Sequence, residues 1–291
     1  MTREGTGATG TDTDAGPGAG KARGSNDAVQ EQFSRRAHRY TTSHVHASGE
    51  DLAWVVAEAS LTGDEHILDV ATGAGHTAFA LAGGAQTVTG VDLTARMVDN
   101  ATRLAAERGL DNVQFLVADA AHMPFPDHHF DIVACRFAAH HFVDPDAAIG
   151  EMSRVLKPDG LLLMVDHIAP DEARLDEYIN RIDWLRDQSH VREWTAREWL
   201  HRFQQAGVST TVAREWDLHI EISWWIDQSA PDEERRAEID RMFREADANT
   251  RAMFAIQFND HKQPVSFALK CVLFKGRKVA AIARGLCAWK T

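Results

Sequence analysis

Residues 66–77 constrain the fold more than any other stretch of this sequence. A short apolar run ends in the acid Asp69, and a turn of small residues that includes Gly73 and Gly75 follows it. The pattern then predicts a helix from about His76. A buried strand that leads through a tight turn into a helix is where doubly wound α/β folds bind nucleotides. Glycine lets the backbone approach such a ligand closely, and the first turn of the helix offers free N–H groups.

The acids of this region indicate which nucleotide would fit. A dinucleotide site needs a third glycine three residues after the second one, and this sequence has none there. Asp69 would repel a pyrophosphate, whereas it suits a ligand that carries an ammonium and a sulfonium group. Asp92 ends the next predicted strand about 20 residues after Gly73, the spacing at which an acid binds ribose hydroxyls. The ligand indicated is a nucleoside with a cationic tail and no phosphate, which describes S-adenosylmethionine (SAM).

Several blocks of sequence carry a family resemblance, and they occur in the order that the family has. They are residues 67–77, 88–97, 118–125, 130–133 and 155–160. On these blocks the chain resembles the class I SAM-dependent methyltransferases, in the small-molecule branch that includes the ubiquinone and menaquinone methyltransferases. The resemblance spans about residues 32–278. It departs from the family at Ala71, where the first glycine of the motif would stand.

The implied fold is one doubly wound α/β domain with a mostly parallel, seven-stranded, Rossmann-like sheet. The alternation of strands and helices over residues 67–165 supports this core independently. The resemblance adds a final antiparallel strand and a helical cap, with cap helices within residues 170–260. We expect a disordered tail over residues 1–25, the methyltransferase domain over 26–278 and a C-terminal extension over 279–291.

Three local signals predict where helices begin. Residues 48–51 resemble a capping box that opens a helix over 50–59. Thr94 is predicted to cap a helix that Gly109 ends, and residues 195–198 form a second capping box. Before these helices, residues 26–46 form an amphipathic segment, and the resemblance implies that this segment closes over the SAM site.

Candidate SAM-binding residues follow from the motifs and the resemblance. They are Tyr40, Asp69, Ala71, Thr72, Gly73, Gly75, Asp92, Leu93, Met97, Asp119, Ala120 and Arg136. The resemblance implies that Asp119 accepts a hydrogen bond from the adenine amine and that Met97 packs on the adenine, although a methionine at this spacing could equally belong to the core. Tyr40 would lie near the cofactor, or it would only pack its helix on the domain. Arg136 could reach the SAM carboxylate, with a surface salt bridge as the alternative.

Candidate catalytic residues follow two predicted strands, at the sheet edge where ligands bind. His140 and His141 come after the fourth strand, and His141 is favoured because the resemblance implies a residue there near the methyl donor. Asp166 and His167 end the fifth strand and form a second candidate acid–base pair. A neutral imidazole accepts a proton near neutral pH, which methylation of a hydroxyl or an acidic carbon requires. The alternative is that these side chains only bind the loops and strand ends around them.

Tryptophans are concentrated in the second half of the chain, where they could form an apolar lid over a flat, aromatic or prenylated substrate. They are Trp184, Trp194, Trp199, Trp216, Trp224 and Trp225. We therefore expect a small-molecule acceptor, quinone-like or natural-product-like, methylated on oxygen or carbon. Three alternatives remain, namely a SAM-binding protein without transfer activity, a methyltransferase that acts on macromolecules, and a nicotinamide dehydrogenase.

Composition disfavours several partners. The formal net charge of −12 argues against nucleic acid. Cys135 and Cys271 fall in predicted strands and Cys287 lies near the C-terminus, a sparse set that fits buried thiols in a reducing cytoplasm. No apolar stretch is long enough to cross a membrane. His44 and His46 lack the acid or cysteine neighbours of a metal site, so we expect none. A homodimer is compatible with the sequence, although no pattern specifies one.

Overall fold

The apolar runs of the sequence form the strands of one mixed sheet in the computed structural model, which describes residues 25–41 and 49–279. The strands are β1 His66–Val70, β2 Thr87–Asp92, β3 Val113–Val117, β4 Phe130–Arg136, β5 Leu156–His167, β6 Val208–Glu221, β7 Gln257–Phe258 and β8 Pro264–Lys278. The helices are α1 Asn26–Thr41, α2 Glu50–Ala59, α3 His76–Ala82, α4 Ala95–Glu107, α5 Pro145–Val155, α6 Ala173–Arg186, α7 Ala196–Gln205, α8 Ile222–Ser229, α9 Glu233–Glu245 and α10 Ala248–Met253. A single 3₁₀ turn, Ala139–His141, follows β4.

The order of the strands is β3-β2-β1-β4-β5-β8-β6. The first five are parallel to one another, whereas β8 runs antiparallel to both β5 and β6. The predicted doubly wound sheet with a final antiparallel strand is therefore confirmed. An eighth strand, β7, adds only two residues beside β8. Because the order reverses between β1 and β4, a crevice opens at the carboxyl ends of those two strands.

All three predicted helix starts agree with the structure, and one of the two predicted capping boxes is present. The Thr195 hydroxyl accepts a hydrogen bond from the Glu198 N–H, and the Glu198 carboxylate accepts one from the Thr195 N–H, which confirms the capping box. Thr94 occupies the N-cap of α4, although its side chain makes no cap bond, and Gly109 follows that helix with φ +67°. The capping box predicted at residues 48–51 is wrong, because the N-cap is Gly49 and it has no side chain to donate or accept.

The predicted cap is assembled mainly by α6, α8 and α9, which pack with the ends of β6 and β8. Trp225 of α8 and Phe243 of α9 both contact Phe267 of β8, with ring centroids 4.9 and 5.0 Å apart. Helix α7 lies within the expected cap range but packs elsewhere. Its Trp199 and Phe203 are buried in the core beneath the central sheet. Only part of the region 170–260 therefore covers the carboxyl edge of the sheet.

The remaining expectations concern the cysteines, membrane-spanning helices and the terminal segments. Cys135 and Cys271 are buried free thiols in strands, as predicted. Across the described residues, none of the helices has the length and apolar character needed to span a membrane. The expected tail over residues 1–24, the two histidines at 44 and 46, and the extension over 280–291 with its cysteine all lie outside the described residues.

Candidate active site

The turn after β1 depends on left-handed backbone at three positions. Ala71, Gly73 and Gly75 have φ values of +54°, +54° and +88°. A Cβ on Gly75 would lie 2.6 Å from the ring of Phe79, so glycine is required there for space as well as for conformation. Ala71 adopts the left-handed conformation with an L side chain, which is strained. Alanine therefore takes up the left-handed backbone at the position where the family has its first glycine.

Asp69 holds this turn together. Its Oδ2 accepts hydrogen bonds from the Thr72 hydroxyl at 2.5 Å and from the Ala78 N–H at 3.1 Å. Complete burial raises the pKa of the carboxyl from 3.8 to about 7, against the effect of these two donors. Asp69 is buried and does not line the cavity that the turn borders, and its contact with the cofactor stays a prediction.

A cavity of about 280 Å³ lies at the carboxyl edge of β1, β2 and β4. Most of the predicted SAM-binding residues line it. They are Ala71, Thr72, Gly73, Asp92, Leu93, Met97, Asp119, Ala120 and Arg136. Gly75, like Asp69, does not line the cavity, and it forms the N-cap of α3. The side chain of Tyr40 falls outside the described part of the structure.

Two carboxylates of this cavity are held by backbone N–H groups. Asp92 accepts one hydrogen bond from Gly73 at 2.9 Å and one from Thr94 at 2.8 Å. Asp119 accepts one from Ala121 at 2.9 Å. Each carboxylate oxygen keeps a further lone pair for a ligand donor. The pair can therefore bind hydroxyl and amine groups at two points along one nucleoside.

Helix α1 covers the cavity, as the resemblance implied. Asn26, Val29 and Phe33 contribute to its lining. The Asn26 side-chain amide donates to Asp119 Oδ2 at 2.8 Å, and the Gln30 amide donates to the Leu93 carbonyl at 3.1 Å. Polar bonds to cavity residues therefore position this helix, together with the apolar contacts of its inner face.

Arg136 forms an ion pair in the interior of the protein. Its Nε donates to the carboxylate of Asp51, and both side chains are almost completely buried. The alternative of a surface salt bridge is therefore wrong. The pair joins α2 to the end of β4, and it holds a guanidinium at the wall of the first cavity.

A second, smaller cavity of about 60 Å³ adjoins the first. Both cavities are lined by Phe33, Phe137 and His141. The rest of the second lining combines apolar side chains with polar ones, namely Leu218, Ile220, Trp224, Trp225 and Leu269 with His140, His167, Arg186 and Gln228. All three predicted catalytic histidines therefore lie at this cavity, and His141 among them also borders the first.

Hydrogen bonds assign the protons of two of these histidines. The His141 Nδ1 lies 3.0 Å from the carbonyl oxygen of Ser189. A carbonyl only accepts, so Nδ1 carries the hydrogen and Nε2 carries the lone pair. His140 Nδ1 lies 2.6 Å from Asp166 Oδ1, which favours the same tautomer. Burial lowers the pKa of His140 well below 6.5 and so keeps the ring neutral.

Several residues of the site were missed in the sequence. Arg186 reaches the second cavity from the end of α6, and Ser189 holds His141 from the loop that follows. Asp187 accepts a hydrogen bond from the Ser189 hydroxyl at 2.6 Å. A dense polar run directly after an amphipathic helix was the one available signal for this loop. Phe137 was unrecognised too, although it separates the cavities in a left-handed conformation at φ +50°.

The sheet order, the glycine turn and the paired acids are those of a class I methyltransferase fold with a cavity at its switch point. Comparison with known proteins gives the same result. The methyltransferase domain family matches residues 61–214, and the chain belongs to this family. It is a SAM-dependent methyltransferase.

Similar proteins extend over most of the chain. The uncharacterized methyltransferase YcgJ of Bacillus subtilis is 41% identical over 246 residues, which is 84% of this chain and 97% of YcgJ. The crystal structure of YcgJ superposes with a TM-score of 0.78, covering 79% of this chain and 99% of YcgJ at 39% identity. The demethylmenaquinone methyltransferase of Deinococcus radiodurans is 36% identical over 160 residues, covering 53% of this chain and 66% of that enzyme.

Proposed function

We propose that this chain transfers the methyl group of SAM to a small planar acceptor bound in the second cavity. The observation that carries the proposal is the position of His141, which borders both cavities. A base at that boundary would be placed between the methyl donor and the acceptor. Its Nε2 has a free lone pair, since Nδ1 donates to the Ser189 carbonyl.

The first cavity would hold SAM through residues on three strand ends. We propose that Asp92 binds the ribose hydroxyls, that Asp119 accepts from the adenine amine and that Met97 packs on the adenine ring. These roles fit the chemistry of the donor set, since two backbone-held carboxylates face one cavity. Bound SAM supplies a methyl group already activated by its sulfonium.

The second cavity favours a flat acceptor with an acidic hydroxyl or carbon. Trp224, Trp225 and Phe137 supply apolar faces, and Arg186 supplies a positive charge that would stabilise an anion. His141 would take the acceptor proton on Nε2, and the electron pair released would form the new bond to the methyl carbon. S-adenosylhomocysteine (SAH) would then leave as the second product. The similarity to demethylmenaquinone methyltransferase supports a phenol-like or quinol-like acceptor.

The remaining partners are proposed from charge and thiol chemistry. The net charge of −12 supports a small-molecule acceptor over nucleic acid. The buried free thiols Cys135 and Cys271 support a location in a reducing cytoplasm.

The test is SAH release from SAM with a panel of hydroxylated aromatic acceptors. With an accepted substrate, His141→Ala should lower kcat by about 10²–10⁴, the typical contribution of a positioned base. SAM affinity should stay within about twofold of the parent value. His201→Ala, at an exposed position on α7, is the matched control and should turn over normally. Unchanged turnover in His141→Ala would transfer the base role to the His140–Asp166 pair, which Asp166→Asn then tests.

A further inference from the structure

A compact group of metal-ligating side chains lies behind the second cavity. It consists of His167, Asp183 and Glu193, and one ligand atom from each lies within 4.8 Å of the others. The three come from different segments, since His167 ends β5, Asp183 belongs to α6 and Glu193 lies between α6 and α7. Asp183 is 3% exposed and Glu193 is 0% exposed. Two buried acids therefore lie beside a partly buried imidazole.

The oxygens and nitrogen that face one another here lack ordinary partners. Within the described residues, no hydrogen-bond donor reaches His167 Nδ1, Asp183 Oδ1 or either oxygen of Glu193. His167 Nδ1 lies 3.5 Å from Glu193 Oε1, and the two carboxyl groups are within reach of each other. Two carboxylates enclosed in this way strongly disfavour the folded state unless a positive species or a proton lies between them.

Three arginines that are near these acids in the chain make contacts elsewhere, and Arg181 among them lies over the Trp184 ring at 5.1 Å. Arg186 donates its Nε to the Trp225 carbonyl at 3.0 Å, and its guanidinium lies 4.8 Å from the centre of that indole ring. Arg192 pairs with Asp176 at 2.6 Å. Neither guanidinium forms an ion pair with Asp183 or Glu193 among the described contacts. Among the described residues, no lysine or arginine forms an ion pair with either acid, and the basic side chain in contact with Glu193 is His167 at 3.5 Å.

We propose that His167, Asp183 and Glu193 bind one divalent first-row transition-metal ion, of the zinc or manganese type. An imidazole nitrogen with two carboxylates is a ligand set for these ions, whereas Ca²⁺ favours six to eight oxygens and Mg²⁺ keeps most of its waters. The bound ion joins α6 and the loop after it to the end of β5, so it ties the cap to the central sheet. This role is structural, and its test needs no SAM.

The experiment measures metal uptake by the full-length protein without an affinity tag. Protein stripped with a chelator is titrated calorimetrically with Zn²⁺ and Mn²⁺, and with Mg²⁺ for comparison, in the absence of SAM. We expect one equivalent of Zn²⁺ or Mn²⁺ per chain and a Tm that rises with metal concentration. Glu193→Gln should bind at least about tenfold more weakly. Glu177→Gln, at an exposed position on α6, is the control and should behave as the parent does.

Two results would overturn the proposal. The first is a stripped parent protein that takes up no Zn²⁺ or Mn²⁺ and whose Tm is indifferent to both, which would mean that the two acids share a proton. The second is equal binding by the parent and Glu193→Gln, which would place the metal on other histidines. Asp183→Asn provides an independent ligand variant if Glu193→Gln does not fold. Since no readout involves SAM, a failure here is distinguishable from a failure of the methyltransferase proposal.

Discussion

The ion pair between Asp51 and Arg136 offers a sharp test of how the cavity wall is held. The two side chains are 6% and 4% exposed, so Asp51→Asn leaves the guanidinium in the interior without its charged partner. Removing one member of a buried pair typically destabilises a protein by about 3–5 kcal/mol. We expect a loss near the lower value, about 3 kcal/mol, because the asparagine oxygen still accepts a hydrogen bond.

A matched pair on the same protein supplies the control. Asp217 and Lys270 are 2.8 Å apart, but their side chains are 39% and 27% exposed, so Asp217→Asn should cost less than about 1 kcal/mol. Urea denaturation followed by circular dichroism gives both values. The double variant Asp51→Asn/Arg136→Met should recover part of the loss, because the buried positive charge is removed together with its carboxylate partner. Equal and small losses in the two single variants would refute the reasoning about burial.

Other predictions concern the turn after β1. Gly75→Ala should destabilise the protein by about 2 kcal/mol in the same denaturation assay, because its Cβ would lie 2.6 Å from the ring of Phe79 at φ +88°. Gly150→Ala, in α5 with nothing within 4 Å, should instead stabilise by about 0.5–1 kcal/mol, and the opposite order would contradict this account. The pKa of Asp69 is about 7 in the folded protein, whereas its ordinary value, which applies to the unfolded chain, is 3.8. The neutral carboxyl therefore contributes fully to stability below pH 3.8, and this contribution is lost as the pH rises through 7. The free energy of unfolding should therefore fall less between pH 4 and pH 8 in Asp69→Asn than in the parent. Parallel pH profiles of the two proteins would contradict the raised pKa of Asp69.

The central sheet and the first cavity could be predicted from the sequence because their signals are local. The turn after β1 needs small residues at fixed spacing, and an acid at the end of β2 is placed at the sheet edge by strand geometry alone. Asp92 therefore lies at the cavity, as expected. The capping box at Thr195 was recognisable for the same reason, since it needs only four consecutive residues.

The contacts between distant segments were not predictable from local patterns. Nothing near Asp51 indicates that it pairs with a residue 85 positions away, and Asp183 and Glu193 meet His167 only through the tertiary fold. Asp69 had the right position in the chain, but its side-chain direction depends on hydrogen bonds to Thr72 and Ala78. Burial and side-chain direction are tertiary properties, and a single sequence does not contain them in readable form.

The most direct test of the central claim is calorimetric titration of the purified protein with SAM, SAH and NADH, repeated on Asp92→Ala. We predict that the parent protein binds SAM and SAH and does not bind NADH. Losing two charge-assisted hydrogen bonds to the ribose should weaken SAM binding by about 3 kcal/mol, or about 10²-fold. The variant's Tm must be measured too, since Asp92 also holds Gly73 and Thr94. SAM binding that is absent in the parent, or equal in a folded Asp92→Ala, would contradict the assignment of the nucleoside site.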